Sequence, residues 1–242
     1  MGDPPLRLSF GNLAETYHRA RPRYSQEVLD RAQEVLGLGR EAHVLDLAAG
    51  TGRLTGELAL RFEHVIAVEP NESMRALITV GDVRAGSAEA IPVEDATVDA
   101  VFVGEAFHWF DPRAAIPEIA RVLRPRGGLA LVGVHWWETE PPLPDDAHDL
   151  LREPWLRFAE QRNPPWDPAF EGTAFEPLRY EHREYALDLG PDDLLELYST
   201  TSSLAALQDD ERSALLARVR PLLEGVYHLP VKYELTWTRL AE

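Results

Sequence analysis

The stretch Val44-Leu45-Asp46-Leu47-Ala48-Ala49-Gly50-Thr51-Gly52-Arg53-Leu54 decides the fold of this chain. An apolar strand pattern runs into an acid, Asp46, then into a turn of small residues, and then into a helical pattern. Gly50 and Gly52 carry no Cβ, so a ligand can lie close to the backbone of this turn, and the following helix directs its first N–H groups at the same place. A carboxylate at Asp46 would repel a pyrophosphate but attract an ammonium or a sulfonium. The stretch therefore favours a nucleotide-like ligand that carries positive charge.

Around this stretch, short apolar segments alternate with amphipathic ones, which is typical of a parallel sheet with helices on both faces. Ser25 is the expected N-cap of a first helix that runs to about residue 36. The pattern then predicts strands at 43–47, 64–68, 82–85, 98–103 and 129–134, and helices at 51–61, 72–78 and 113–123.

We expect a single domain over residues 1–242, with a helical cap at 1–40 and a cofactor-binding core at 41–135. Residues 136–180 are rich in proline, but Trp136, Trp137, Trp155 and Trp166 make them too apolar for a free linker, so we predict an ordered lid inserted after the fifth strand. The aromatic residues of this lid suit a flat or lipid-like acceptor, whereas Arg157 and Arg162 could hold a carboxylate, and the sequence does not choose between the two. The last part, 181–242, reads as strands at 180–187 and 231–240 with helices at 191–197 and 211–223 between them.

The composition excludes several classes of function. The net charge of −17 argues against a nucleic-acid groove and against anionic membrane surfaces. The absence of cysteine excludes thiol nucleophiles and Cys-zinc sites. No apolar stretch reaches the ~18 residues of a membrane span, and the N-terminus lacks a signal core. We therefore expect a soluble, cytoplasmic protein.

Further polar groups follow the later strands. Glu69 ends the second strand, 19 residues after Gly50, where an acid accepts hydrogen bonds from ribose hydroxyls in βαβ nucleotide sites. The loop 86–92, GSAEAIP, would lie beside an adenine if the ligand crosses the strand ends. The stretch 104–111, GEAFHWFD, places Phe107, His108 and Trp109 near the reactive end of that ligand. The alternative is an aromatic cluster that covers core, with His108 merely hydrogen-bonded.

His108 is the best candidate for a general base, because an unperturbed imidazole titrates near pH 6.5. Tyr17 and Tyr198 are weaker candidates. We predict no metal site, because the histidines at 64, 108, 135 and 148 lack ligand spacing.

Taken in order, these motifs resemble class I S-adenosylmethionine-dependent methyltransferases. The resemblance covers about residues 10–134 and includes VLDLAAGTG, VIAVEPNESM, GSAEAIPVEDATVDAV and EIARVLRPRGGLALV. The opening FGNLAETYHRARPRY and the AFHWFD box are similar to the small-molecule branch, the methyltransferase type 11 or trans-aconitate methyltransferase-like enzymes. One departure is Ala48, where many members carry the first glycine of the turn.

The resemblance implies a Rossmann-like, seven-stranded, mostly parallel sheet whose last strand is antiparallel. It also implies S-adenosylmethionine as cofactor. Asp46 and Gly50 would line its methionine part, Glu69 would bind its ribose, and Ala88 and Glu89 would flank its adenine. Glu105 and Ala106 would lie beneath the sulfonium, with Tyr17 and Arg23 closing over it. The remaining cofactor-binding residues implied are Ala48, Thr51, Gly52, Pro70 and Ser87.

Two other functions stay open at this stage. A nicotinamide-dependent oxidoreductase would share Gly50, Gly52 and Glu69, but the chain lacks the G-x-G-x-x-G spacing, and such an enzyme would have to explain Asp46. A protein that binds the cofactor without catalysis is also compatible with the motifs, because a fold does not fix a function. The acceptor, the atom methylated and the oligomeric state are not encoded in any motif we find.

Overall fold

The computed structural model describes residues 13–136, 142–158 and 165–241. Trp137 and Arg162 of the expected lid lie outside these ranges. The chain divides into two compact units. We call the larger one the sheet unit (Arg23–Val134, Asn163–Arg183 and Tyr233–Glu242) and the smaller one the helical unit (Met1–Pro22, His135–Arg162 and Glu184–Lys232). The expected lid is therefore divided between the two units.

A seven-stranded sheet forms the centre of the fold, in the order β3-β2-β1-β4-β5-β7-β6. Strands β1 to β5 pair in parallel, and the last strands run antiparallel. This confirms the predicted Rossmann-like fold. The strands are β1 His43–Leu47, β2 His64–Val68, β3 Asp82–Arg84, β4 Val98–Gly104, β5 Leu123–His135, β6 Arg179–Leu189 and β7 Tyr227–Arg239.

Strand β5 begins earlier than the sequence predicted. Residues 125–128, which separate the expected helix at 113–123 from the expected strand at 129–134, lie inside β5. They form a bulge there, because Val98 pairs with Leu123 while Ala100 pairs with Gly128. The extra residues between these pairs include Arg126, which adopts a left-handed conformation with φ +65°.

Helices cover the sheet within the sheet unit: α2 Gln26–Val35, α3 Arg53–Ala59, α4 Glu72–Arg75 and α5 Pro112–Val122. Side chains cap two of them, since Asn71 accepts from the Met74 amide and Asp111 accepts from the Arg113 amide. Ser25 precedes α2 as expected, but its side chain makes no capping hydrogen bond. The apolar faces of the strands and of α5 meet in one buried cluster that includes Leu45, Val101, Ile119 and Leu129.

The helical unit contains α1 Ala14–Ala20, α6 Asp145–Arg157, α7 Pro191–Ser199, α8 Ser202–Ala205 and α9 Asp209–Val219. Helix α6 lies in the expected lid, where the periodicity of the sequence is weak. Helix α9 stops at Val219 because Pro221 follows, and the chain continues as a 3₁₀ turn at Arg220–Leu222. Among the described residues, no helix is long and apolar enough to cross a membrane.

Candidate functional site

The candidate site lies where strands β1 to β4 end, and every element that forms it belongs to the sheet unit. Backbone hydrogen bonds join the loops at this edge: the Ala49 amide donates to the Val68 carbonyl at 3.0 Å, and the Glu69 amide donates to the Arg84 carbonyl at 3.2 Å. Chain order runs outward from β1 to β3 on one side and continues with β4 on the other. The crevice between the ends of β1 and β4 is therefore the topological switch point, where open α/β sheets bind their ligands.

Left-handed backbone shapes both sides of this crevice. After β1, Ala48, Gly50 and Gly52 have φ values of +59°, +57° and +79°. After β4, Glu105 has φ +58°. Ala48 and Glu105 carry a Cβ, so each adopts this conformation at a cost of about 1–2 kcal/mol. Strained residues of this kind are concentrated at functional sites, and here they turn both loops sharply at the same edge.

Asp46 is buried at the end of β1, with 1% of its surface exposed. One carboxylate oxygen, Oδ2, accepts a 2.6 Å hydrogen bond from the hydroxyl of Thr55 on α3. The other, Oδ1, is buried and has no hydrogen-bond partner within the described part of the chain. Burial raises the pKa of Asp46 to about 7, the Thr55 hydrogen bond opposes that rise, and the charge of Glu69 adds to it.

Glu69 is also buried, and two backbone amides hold its carboxylate. The Gly50 amide donates to Oε2 and the Asn71 amide donates to Oε1, each at 2.8 Å. Burial raises the pKa of Glu69, and these two hydrogen bonds partly offset the effect. The structure thus brings together the two acids and the glycine turn that the sequence singled out. A buried pair of acids of this kind favours a ligand that brings positive charge and hydroxyl donors.

Arg121 of α5 binds the loop after β3 through hydrogen bonds to its backbone carbonyls. This guanidinium donates to the carbonyls of Ile91 and Val93 at 2.9 and 2.8 Å, and it pairs with Glu118 and Asp95. Ala88 is buried in the core, so it offers only backbone to a ligand, whereas Ser87 is half-buried and Glu89 exposed.

The aromatic residues at the end of β4 differ in burial, since Phe107 is buried and His108 is exposed. Phe107 is buried and packs on Phe110, Trp166 and Phe170, with ring centroids 5.0–5.5 Å apart. For Phe107 the core alternative is therefore correct. His108 is exposed, and its ring centroid lies 4.5 Å from that of half-buried Trp109.

Glu105 and Ala106 are both half-buried, and the Glu105 carboxylate turns toward β5. Its Oε1 accepts a 2.6 Å hydrogen bond from the Val134 amide.

The other predicted site residues differ in position. Thr51 is buried in the turn after β1, while Pro70 and Arg23 are exposed. Tyr17 belongs to the helical unit, where the Arg21 guanidinium lies 4.9 Å from the centre of its ring. Residues that the sequence analysis missed are the hydrogen-bonding partners of the two acids, Thr55 and Asn71, together with Arg121.

One group of possible metal ligands occurs among the residues that the structure describes. The ligand atoms of Glu41, Glu63 and His64 lie within 4.8 Å of one another, and all three residues are exposed. The group lies where β1 and β2 begin, at the opposite end of these strands from the crevice. Glu63 already pairs with Arg40 at 2.8 Å.

Comparison with known proteins agrees with this geometry. Residues 45–131 match the family model described as a methyltransferase domain. Over 222 residues the chain is 36% identical to an uncharacterized methyltransferase of Mycobacterium bovis, covering 90% of this chain and 86% of that protein.

Two solved structures share the fold. One is an Anabaena variabilis protein assigned as a methyltransferase of an antibiotic biosynthesis pathway (TM-score 0.64, 23% identity, covering 92% of this chain and all of that one). The other is the [4+2]-cyclase SpnF (TM-score 0.59, 16% identity, covering 98% and 95%). Because a cyclase shares the fold, the fold alone does not specify the chemistry.

Proposed function

The chain belongs to the methyltransferase family, and from that premise we propose that it transfers a methyl group from S-adenosylmethionine to a small-molecule acceptor. The observation that carries the proposal is the buried carboxylate of Asp46, whose Oδ1 has no hydrogen-bond partner among the described residues. Such an atom fits a ligand that brings a cationic donor into the crevice, because leaving it unpaired costs about 1–3 kcal/mol. A pyrophosphate, which a nicotinamide cofactor would place here, has no donor to offer it.

The residues of the crevice match the groups of this cofactor. Asp46 would hold the ammonium of its methionine part, and Glu69 would accept hydrogen bonds from its ribose hydroxyls. The Gly50–Gly52 turn would let it approach the backbone, and Ser87 and Ala88 would line the adenine. When bound, the cofactor supplies a methyl group on a positively charged sulfur.

Most of the catalysis in this proposal comes from holding acceptor and donor in line. Alignment of that kind is worth up to about 7–11 kcal/mol of the barrier. The rigid turns at Ala48 and Glu105 suit the task, because neither can relax without disturbing a neighbouring strand end. The net charge of −17 also supports a small acceptor over a nucleic acid.

His108 is the proposed base for acceptors that still carry a proton at neutral pH. Its exposure at the end of β4 gives it access to solvent and to an incoming acceptor. Replacing His108 by alanine should lower kcat by about 100-fold or more and leave the Kd for the cofactor unchanged. Full turnover by that variant would remove His108 from the mechanism.

Calorimetric titration with S-adenosylmethionine, S-adenosylhomocysteine and NAD tests the cofactor directly. We expect micromolar binding of the two adenosyl ligands and none of NAD. Asp46→Ala and Glu69→Ala should abolish that binding, whereas Glu94→Ala, at an exposed acid of the same unit, should not. NAD binding, or no binding of either adenosyl ligand, would overturn the proposal.

Transfer of a labelled methyl group to a panel of small carboxylates, phenols and amines then tests catalysis. Cofactor binding without transfer to any of them would favour a non-catalytic binder.

A further inference from the structure

Tyr24, the last residue of the FGNLAETYHRARPRY segment, lies where β4 ends, at the switch-point crevice. It lies one residue before Ser25, the N-cap position of α2, and the α2 residues Val28 and Leu29 are buried. Its half-buried ring reaches the end of β4, where it meets Gly104. All of these residues belong to the sheet unit.

Gly104 shows how closely the tyrosine approaches β4. A Cβ placed on Gly104 would overlap the Tyr24 hydroxyl oxygen, would come within 2.9 Å of the ring carbon Cζ, and would lie 3.1 Å from Leu54 Cδ2. Real Cβ atoms essentially never make contacts under 3.0 Å. The phenol group of Tyr24 therefore occupies the space that a side chain at position 104 would need.

The register of the sheet relates this contact to the cofactor turn. Asp46 pairs with Phe102, so Gly104 lies level with Ala48, the first left-handed residue after β1. The Tyr24 hydroxyl thus lies against Gly104, where β4 ends at the crevice. The nearby Glu105 carboxylate accepts from the Val134 amide on β5.

We propose that Tyr24 contacts the methyl-donor end of the cofactor, with its phenol oxygen facing the sulfonium. This inference rests on the proposed function. A neutral phenol offers lone pairs to a positive charge. It stabilises the sulfonium without adding a further negative charge to a crevice that already holds the buried carboxylates of Asp46 and Glu69.

The discriminating measurement compares S-adenosylmethionine with S-adenosylhomocysteine, which lacks the positive charge on sulfur. In Tyr24→Phe the ring remains and the oxygen is lost. We expect the Kd for S-adenosylmethionine to rise about fivefold to tenfold, as for a lost interaction with a charged group. The Kd for S-adenosylhomocysteine should change less than about twofold. Tyr180→Phe, at an exposed tyrosine of the same unit, is the matched control and should change neither value.

A second experiment needs no cofactor and tests the placement of the phenol. Gly104→Ala should lower the unfolding midpoint in the native background, and most of that loss should vanish when Tyr24→Ala is already present. Gly39→Ala, where a Cβ would meet no atom of the described residues within 4 Å, should show no such coupling to Tyr24→Ala.

The outcomes separate the two proposals. If the unmodified protein binds neither adenosyl ligand, the proposed function fails and this inference falls with it. If the unmodified protein binds both adenosyl ligands and Tyr24→Phe leaves the ratio of their two Kd values unchanged, only the role of Tyr24 is overturned. If the penalty of Gly104→Ala is the same in both backgrounds, the contact between the two residues is wrong.

Discussion

Replacing Asp46 by asparagine should stabilise the ligand-free protein while weakening its binding of the cofactor. The substitution keeps the shape of the side chain and preserves an oxygen that can accept the hydrogen bond of the Thr55 hydroxyl. It removes a negative charge that lies buried beside Glu69, the charge that the ammonium of the ligand would otherwise compensate. Stability and affinity should therefore change in opposite directions.

The magnitude follows from the pKa of Asp46, which rises from an ordinary value of 3.8 to about 7 in the folded protein. Between these values the unfolded chain has released the proton and the folded chain still holds it, so the stability of the native protein falls as pH rises. From pH 5 to pH 8 this carboxyl alone should remove about 2.5 kcal/mol of unfolding free energy. Asparagine does not titrate, so Asp46→Asn should escape that loss.

Urea unfolding, followed by tryptophan fluorescence at several pH values, measures the effect. The expected result is a difference between Asp46→Asn and the native protein that grows in favour of the variant by about 2.5 kcal/mol between pH 5 and pH 8. Glu94→Gln, at an exposed acid, is the control. Its unfolding free energy plotted against pH should run parallel to that of the native protein. The reasoning is falsified if the Asp46→Asn curve is also parallel, because the carboxyl would then titrate alike in both states.

Three further substitutions test other parts of the sheet unit by the change in unfolding free energy. Gly56→Ala, inside α3, should stabilise the protein by about 0.5–1 kcal/mol, because outside the helix's own backbone no described atom lies within 4 Å of the new Cβ, and a loss would contradict the open space there. Ala48→Gly relieves the left-handed strain and should leave a protein about 1–2 kcal/mol more stable than Ala49→Gly, which gains no such relief; equal values would argue against the strain. Arg121→Lys keeps the charge but loses the fork that holds two carbonyls of the loop after β3, so it should cost about 1–3 kcal/mol, and no loss would show that the fork is dispensable.

The parallel sheet and the glycine turn could be predicted from the sequence because both depend on patterns within short segments of the chain. Strands β1, β2 and β4 are short and largely apolar, and each is bounded by a turn or by a helical segment, whereas β3 is only the three residues Asp82–Arg84. The 3.6-residue and two-residue periods distinguish helices from strands without any knowledge of the partner. Asp46 and Glu69 were found for a related reason, since the carboxyl ends of neighbouring parallel strands must lie at the same edge.

Helix α6 was missed because its proline content obscured its periodicity. Ala147, Leu151 and Pro154 are its buried residues, spaced as one helical face, but one of the three is the proline that argued against a helix. The early start of β5 was missed for a comparable reason. Proline and two glycines at 125–128 do form an irregular segment, yet the strand continues through it as a bulge, because β4 supplies pairing partners on both sides.

The contact between Tyr24 and Gly104 could not be predicted from local sequence patterns, because the two residues lie far apart in the chain. A glycine that ends a buried strand can be read as a turn residue, and its φ is not in the left-handed region that requires glycine. The structure supplies the other reason for the missing side chain: the space is filled by a phenol group from the segment before α2. A glycine at the end of a buried strand therefore raises the question of which distant group occupies the space of its missing side chain. In this crevice the answer is a residue that offers an oxygen, beside a turn whose buried acid already favours a cation.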